Sequence, residues 1–342
     1  MKHKPRVCIV TPARPEDNNG NWHTAARWQR FLASLAEVDV VQHWPGHDGN
    51  DGADVLIALH AWRSAASIER FHAAHPERSL ALVLTGTDLY RDLGQEAGAR
   101  HALQCATHLV VLQQEAIGGL APADRARARV IEQSATRVLR HDKARSSFDF
   151  VAVGHLRAVK DPLTLIAAAR LLPAALFNGL PPRVLHIGAA LDDELAEAAR
   201  LAVAECPHYR WLGGQPVAAT RRWIARARAL VHMSRMEGGA HVVVEAIRSG
   251  VPVLATRIAG NVGLLGHDYD GTFAPGDARA LAALMQRFAA EPAFAAHLAA
   301  QCAAREPRFT SAAEQNRVRA LLADLLASRR QRPLPQSFPS RP

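Results

Sequence analysis

The sequence predicts an α/β protein of two doubly wound domains facing across a cleft. Three observations carry that expectation. Short apolar runs rich in β-branched residues alternate along the chain with amphipathic stretches of helical period. The alternation breaks at a polar, charged segment, HDKARSSFD (141–149), and then restarts. The length, 342 residues, is enough for two domains of ordinary size, and 49% hydrophobic residues is the content of a chain with real cores.

In the first half the predicted strands are RVCIVTP (6–12), VDVVQHW (38–44), DVLIALH (54–60), LALVLTG (80–86), THLVVL (107–112) and RVIEQ (129–133). Helical segments such as 22–35 and 61–75 lie between them. In the second half the strands are FDFVAVG (148–154), RVLHIG (183–188), YRWLG (209–213), ALVHM (229–233), VPVLAT (251–256) and GTFAP (271–275). Apolar strands separated by amphipathic helices imply parallel sheets covered on both faces. The expected boundaries are a first domain over 1–147, a second over 148–310, a terminal helix over 311–328 and a disordered tail, rich in Pro and Arg, over 329–342. Ligands of such sheets bind outside the carboxyl ends of the strands.

Composition narrows the class. No run of about 20 apolar residues exists, so no membrane span is expected. The first residues enter a strand without a secretory core, and Cys8, Cys105, Cys206 and Cys302 are scattered without a CxxC pair. A cytoplasmic protein with reduced thiols is expected, with neither a disulfide frame nor a zinc site. The formal charge is +9, but the arginines are dispersed and no compact basic run is interleaved with aromatics, so nucleic acid is not an expected partner. Only four lysines occur, and Lys160 is the only one beyond the expected boundary.

The most informative stretch is SRMEGGAHVVVEAIRSGVPVLAT (234–256). Glu237, Gly238, Gly239 and Ala240 lead into a helix that Gly250 stops, and a buried strand follows. Glycines at a helix start let backbone N–H groups approach a ligand, and the helix dipole favours an anion there. Glu245, on the same helix, can accept from paired hydroxyls such as those of a ribose, and Glu237 can do so for a sugar ring. A glycine-loosened helix start with two solvated carboxylates is the competing reading.

The stretch 151–172 runs from a strand ending at Gly154 to a helix opening near Asp161-Pro162, with Pro at a favoured first position. His155, Arg157 and Lys160 lie between them, placed to neutralise a leaving diphosphate; a solvated basic loop is the alternative. In the first half, Gly20, Asn21 and His23 follow the first strand and open a helix. Gly20 fits either a backbone approach to an anion or a plain turn. His60 and Arg63 follow the third strand, and Thr85, Gly86, Thr87 and Asp88 follow the fourth. His60 reads equally as a structural histidine or an acceptor contact. Asp88 reads as a helix cap, a base or a hydroxyl contact.

The order VGHLRAVKDP, HIGAALDDELAEAAR, WLGG, MEGGAHVVVEAIRSGVPVLAT and PGD resembles the GT-B glycosyltransferases that carry a Glu-x7-Glu motif, the large group of sucrose-synthase and mannosyltransferase type. The likeness spans both halves and is strongest over 148–277. Within that group TPARPEDNNGNWHTAARW, LTGTDLY, VGHLRAVKDP and SRMEGGAHVVVEAI resemble the selenosugar synthases of selenoneine biosynthesis. The resemblance implies a GT-B fold of two Rossmann-like domains, with the acceptor on the first and the nucleotide sugar on the second. The terminal helix would return to the first domain. It implies catalytic roles for Lys160, Arg157 and Glu237, and nucleotide-sugar contacts from Gly20, Asn21, His155, Gly238, Gly239, Ala240 and Glu245. The acceptor side would draw on His23, His60, Arg63, Thr85, Gly86, Thr87 and Asp88.

Departures from the pattern fall mainly on the acceptor and sugar sides. His155 stands where an arginine is usual, Thr85-Gly86 where a histidine is usual, and the stretch 259–263 lacks the usual glutamate. The expected activity is transfer from a UDP-hexose, UDP-N-acetylglucosamine or UDP-glucose, to selenophosphate, giving a 1-selenosugar, UDP and phosphate. No cofactor or metal is expected, because helix termini and basic side chains would hold the donor. Two rivals remain open, a conventional glycosyltransferase with an alcohol acceptor and a non-catalytic nucleotide-sugar sensor. The sequence leaves donor preference and any homo-oligomer open.

Overall fold

A computed structural model of the chain describes residues 4–17, 19–46, 52–138, 141–176 and 179–331. The chain divides into two compact units, residues 1–131 with 314–342, and residues 132–313.

The first unit is a six-stranded parallel sheet in the order β2-β1-β3-β4-β5-β6. Its strands are β1 (Arg6–Val10), β2 (Glu37–Val41), β3 (Val55–Leu59), β4 (Ser79–Leu84), β5 (His108–Val111) and β6 (Ala128–Val130). The helices are α1 (Gly20–Leu32), α2 (Ala65–Ala74), the short α3 (Leu93–Gln95), α4 (Ala97–Cys105) and α5 (Pro122–Arg125). Strand residues alternate between two cores, as a period of two requires. Val55, Ile57 and Leu59 meet Trp28, Phe31 and Leu32 of α1 on one face. Leu56 and Ala58 meet Ile68 and Phe71 of α2 on the other.

The second unit is also six-stranded and parallel, in the order β12-β11-β10-β7-β8-β9. Its strands are β7 (Phe148–Val153), β8 (Pro182–Ile187), β9 (Tyr209–Trp211), β10 (Ala229–His232), β11 (Val253–Thr256) and β12 (Thr272–Phe273). The helices are α6 (Pro162–Arg170), α7 (Asp193–Glu205), α8 (Val217–Arg226), α9 (His241–Arg248), α10 (Ala259–Leu265), α11 (Ala278–Ala290) and α12 (Pro292–Arg305). Local chemistry sets the helix ends. Asp192 accepts from Leu195 N, Asp277 accepts from Ala280 N, and Pro162 opens α6. Gly250, at φ 67°, ends α9 in the left-handed region, where glycine carries no Cβ penalty.

Both sheets reverse their winding direction once, between β1 and β3 in the first unit and between β7 and β10 in the second. Those switch points are where the carboxyl-end loops part and leave room for a ligand.

Three expectations need correction. The units divide after Ile131, ahead of the expected boundary at 147. The supposed linker segment is tied into the second unit, where Lys143 Nζ donates to the carbonyls of Ala225 and Ala227 and Asp149 pairs with Arg183. The terminal helix α13 runs over Ser311–Gln331, past the expected end at 328, while the rest of the expected tail, 332–342, lies outside the described residues. Stretch 259–263, which lacks the usual glutamate, is the start of helix α10 and stays part of the second unit.

Val318, Leu321, Leu322 and Leu325 of α13 complete the α1 side of the first unit's core. Glu314, fully buried, anchors it by accepting from Arg27 Nε at 2.7 Å and Trp28 Nε1 at 2.9 Å. Glu314→Ala leaves a largely buried guanidinium and an indole N–H without this acceptor, and is expected to destabilise the protein by about 3 kcal/mol. Urea unfolding checks this; a loss well under about 1 kcal/mol would place the pair among weak surface pairs.

Candidate functional site

The second unit gathers its candidates at the β7–β10 switch point. Gly154 and His155 follow β7, and Lys160 closes a single 3-10 turn (Ala158–Lys160) before α6. His232 is the last residue of β10, and Ser234 to Ala240 form the loop into α9. Backbone contact joins the two loops, since Arg235 N donates to Val159 O at 2.9 Å. Arg235 also pairs with Asp161 at 3.0 Å. Asp161 sits at φ 49° and accepts from Thr164 Oγ1, which fixes the turn into α6.

Two glycines make the approach possible. A Cβ on Gly188 would lie 1.9 Å from Gly154 O, so the loop after β8 can press on the loop after β7 only as glycine. A Cβ on Gly260 would lie 2.2 Å from Glu237 O, so the start of α10 backs the Glu237 loop in the same way. Gly154 O also accepts from His186 Nε2 at 3.1 Å.

The carboxylates are held alike. Glu237 Oε1 pairs with Lys160 Nζ, and His232 Nε2 lies 3.4 Å from the same oxygen. Glu245 Oε1 accepts from Arg221 Nε at 2.8 Å, with His241 Nδ1 at 3.7 Å from that oxygen. Among the described residues neither Oε2 has a side-chain or backbone partner. Each carboxylate is thus held by a cation on one oxygen, Glu237 with a histidine beside it as well, and presents the other. Burial raises the pKa of Glu237, but the Lys160 charge and the His232 hydrogen bond outweigh it and hold the carboxyl well below the usual carboxylate range.

The N-terminus of α9 has Ala240 as its cap residue, with no side-chain capping bond. Gly238, Gly239 and Ala240 therefore lead to a helix start whose first-turn N–H groups are not taken by a capping side chain. His155 Nδ1 accepts from Ala189 N at 3.0 Å. Burial, reinforced by Arg157 and Lys160, lowers the His155 pKa, so the ring is neutral near pH 7. Its free contribution is limited to Nε2. Arg157 is exposed and makes no ion pair among the described residues.

In the first unit the candidates flank the β1–β3 switch point, with several of them less available than the sequence suggested. The α1 cap is Asn19, whose Oδ1 accepts from Asn21 N at 3.1 Å and Trp22 N at 3.2 Å, so those amides are not free to meet an anion. A Cβ on Gly20 would meet nothing within 4 Å, so packing does not require glycine there. His23 lies in the first turn of α1, half-buried. Asp88 is fully buried and accepts from four backbone N–H groups, those of Ala61, Thr85, Gly86 and Leu89. That rules it out as a base and makes it the clamp that joins the loops after β3 and β4.

His60 is buried at φ 73°, a strained position for a residue with a Cβ, and its Nε2 lies 3.2 Å from Thr87 Oγ1. Burial lowers its pKa against the raising effect of Asp88. Arg63 is exposed, and Thr85, half-buried on the loop after β4, donates its N–H to Asp88. Trp62 is also exposed, at 45%.

No cluster of three or more His, Cys, Asp or Glu side chains is placed to hold a metal among the described residues. The expectation of a metal-free site took the chain to hold no Asp-x-Asp motif, and that needs correction: Asp268 and Asp270 have this spacing. The pair lies between α10 and β12, with Asp268 on Arg305 at 2.6 Å and Asp270 on His297 at 2.7 Å. Sequence reasoning also missed His232, Arg221, Gly188 and Gly260. His232 at a strand end and glycines at strand or helix ends were the available signals; Arg221 gave none. No helix among the described residues is long and apolar enough to cross a membrane.

Two Rossmann-like domains, each built on a parallel sheet with one switch point, are the GT-B architecture. Residues 139–305 match the family model for glycosyl transferases group 1. Among solved structures, HepE of Anabaena in complex with UDP-glucose is similar at 16% identity and a TM-score of 0.71, over 94% of this chain and 100% of that one. Sucrose-phosphate synthase of Thermosynechococcus elongatus is similar at 16% identity and a TM-score of 0.73, over 95% and 100%. At such identity the likeness is one of fold. No curated protein sequence matches this chain.

The Glu237 environment gives a pH test. A carboxyl with a depressed folded pKa contributes stability that is complete above the unfolded value and is lost as the pH falls toward the folded one. Glu237→Gln should therefore be less stable than the unsubstituted protein near pH 7, with a gap that narrows below about pH 4.5, the ordinary value for glutamate. Denaturant unfolding of both at pH 7, 5 and 3 reads the gap; one that stays constant with pH contradicts the assignment.

Proposed function

We propose that the protein is a glycosyltransferase with a UDP-hexose donor, either UDP-N-acetylglucosamine or UDP-glucose. The observation that carries this is the pair Glu237 and Glu245, each held on one oxygen and open on the other, flanking the uncapped start of α9. Glu245 Oε2 is the acceptor for ribose hydroxyls and Glu237 Oε2 for a hydroxyl of the hexose. The α9 amides, Lys160 and Arg157 meet the diphosphate, where negative charge grows as the anomeric C–O bond breaks. The family match over 139–305 and the UDP-glucose bound by the similar Anabaena protein support the donor class.

The acceptor we infer is selenophosphate. Its selenium attacks the anomeric carbon, the Se–C bond forms, and the C–O bond to the diphosphate breaks with its electron pair leaving on UDP. Water then cleaves the Se–P bond, releasing phosphate and leaving selenium on the sugar. Selenium in this anion is already nucleophilic, so the reaction has little need of a general base. The first unit fits that demand. Asp88 is saturated by backbone N–H groups, His60 is buried with a lowered pKa, and Arg63 offers an exposed guanidinium to an anion. The resemblance of the first-half motifs to selenosugar synthases points the same way. Exposed Trp62 favours a second reading, a conventional glycosyltransferase with an alcohol acceptor, because an aromatic face beside the switch point suits the ring of a sugar that offers a hydroxyl.

Incubation with each UDP-hexose and selenophosphate in the presence of EDTA is expected to release UDP and to give a hexose carrying the selenium isotope pattern by mass spectrometry. Lys160→Ala, folded, should turn over about a hundredfold or more slowly. UDP release with an alcohol acceptor such as a sugar, and none with selenophosphate, moves the assignment to the second reading. Binding without turnover of any acceptor identifies a sensor. Loss of activity in EDTA with recovery in magnesium or manganese contradicts the metal-free mechanism.

A further inference from the structure

We propose that His232 is the positioning residue that keeps Glu237 aimed at the donor sugar once Lys160 has turned to the diphosphate. This rests on the donor reading above. Lys160 and His232 share Glu237 Oε1. The two partners differ in how they are held. Lys160 is a flexible side chain on a 3-10 turn, 22% exposed, and the nearest atoms to a Cβ built on Gly154 are its own Cβ, Cγ and Cδ, at 3.6 to 3.7 Å. His232 ends a central strand and is buried.

A diphosphate carries more negative charge than one carboxylate and accepts several donors, so it competes for the ammonium group on binding. When Lys160 moves, Glu237 keeps the strand-borne imidazole as its contact among the described residues. Oε1 stays on His232 Nε2, and Oε2 stays directed at the hydroxyl.

The rest of the imidazole supports a role for Nε2. His232 Nδ1 is buried and has no hydrogen-bond partner among the described residues. Donation from Nε2 to a carboxylate leaves the lone pair on Nδ1, where nothing in the surroundings stabilises it. An apolar residue would fill the position without that unsatisfied atom. Ser234 Oγ, 3.3 Å from Nε2, lies on the same side of the ring as Glu237, so the polar contacts of His232 converge on that nitrogen.

The test compares two amides. His232→Asn places its amide near the Nδ1 position and falls short of Glu237; His232→Gln carries an N–H toward the Nε2 position. Calorimetric titration with UDP and with the UDP-hexose gives the ratio of their dissociation constants for each protein, and thermal unfolding confirms the fold. UDP affinity should stay within about twofold, while the hexose ratio worsens about tenfold in the Asn variant and is largely restored in the Gln variant. An unchanged ratio in a folded Asn variant, or equal losses for UDP and UDP-hexose, overturns the assignment. If the Asn variant does not fold, a tenfold worse ratio in the Gln variant also overturns it. Failure of the unsubstituted protein to bind either ligand removes the donor reading itself, and this inference with it.

Discussion

The second unit's site depends on the close approach of the loops that leave β7 and β10. Adjacent parallel strands bring those loops within reach, and parallel order across the switch point leaves space beyond them. What joins them is charge and backbone together: Lys160 on Glu237, Arg235 on Asp161, and Arg235 N on Val159 O. Gly188 and Gly260 are the steric conditions, since each lies where a Cβ would collide with the backbone of the loop it supports. The cations of one loop and the carboxylate of the other therefore occupy one site.

The charges are arranged as a binding site needs them, which differs from the arrangement that would maximise stability. A carboxylate buried for stability alone would have both oxygens satisfied. Glu237 and Glu245 each keep one oxygen free, and the start of α9 has no capping side chain. Contrast Asp88 in the first unit, which accepts from four backbone N–H groups and works as a structural clamp. The same side-chain chemistry, an ionised carboxylate, thus has two uses in one chain, and the number of contacts already made tells them apart.

Features governed by neighbours in sequence were legible before the structure. All twelve predicted strands are present within a few residues, because apolar runs of β-branched residues bounded by polar turns leave little choice. The stop at Gly250 and the opening of α6 at Pro162 followed from local rules. Glu237 and Glu245 were found because they bracket a glycine-led helix start in the Glu-x7-Glu spacing. The partners of those residues were not legible: Lys160 reaches Glu237 only because β10 lies beside β7, His232 only because the loop after β10 turns back on its own strand end, and Arg221 reaches Glu245 from a separate helix. Asn19 was overlooked beside Gly20, although an Asn before a helix is a local signal. The unit boundary was placed by polarity at 141–149, whereas that segment is held to the second unit by Lys143 and Asp149.

The central claim is that the open oxygens of the 237–245 segment read hydroxyls of a nucleotide sugar. Glu245 tests it without reference to any acceptor. Calorimetric titration of the unsubstituted protein and of Glu245→Gln, each with UDP and with 2′,3′-dideoxy-UDP, forms a cycle between one carboxylate and the ribose hydroxyls. The account predicts that removing the hydroxyls weakens binding to the unsubstituted protein by about tenfold or more, and binding to Glu245→Gln by no more than about threefold. An equal loss in both proteins would contradict it.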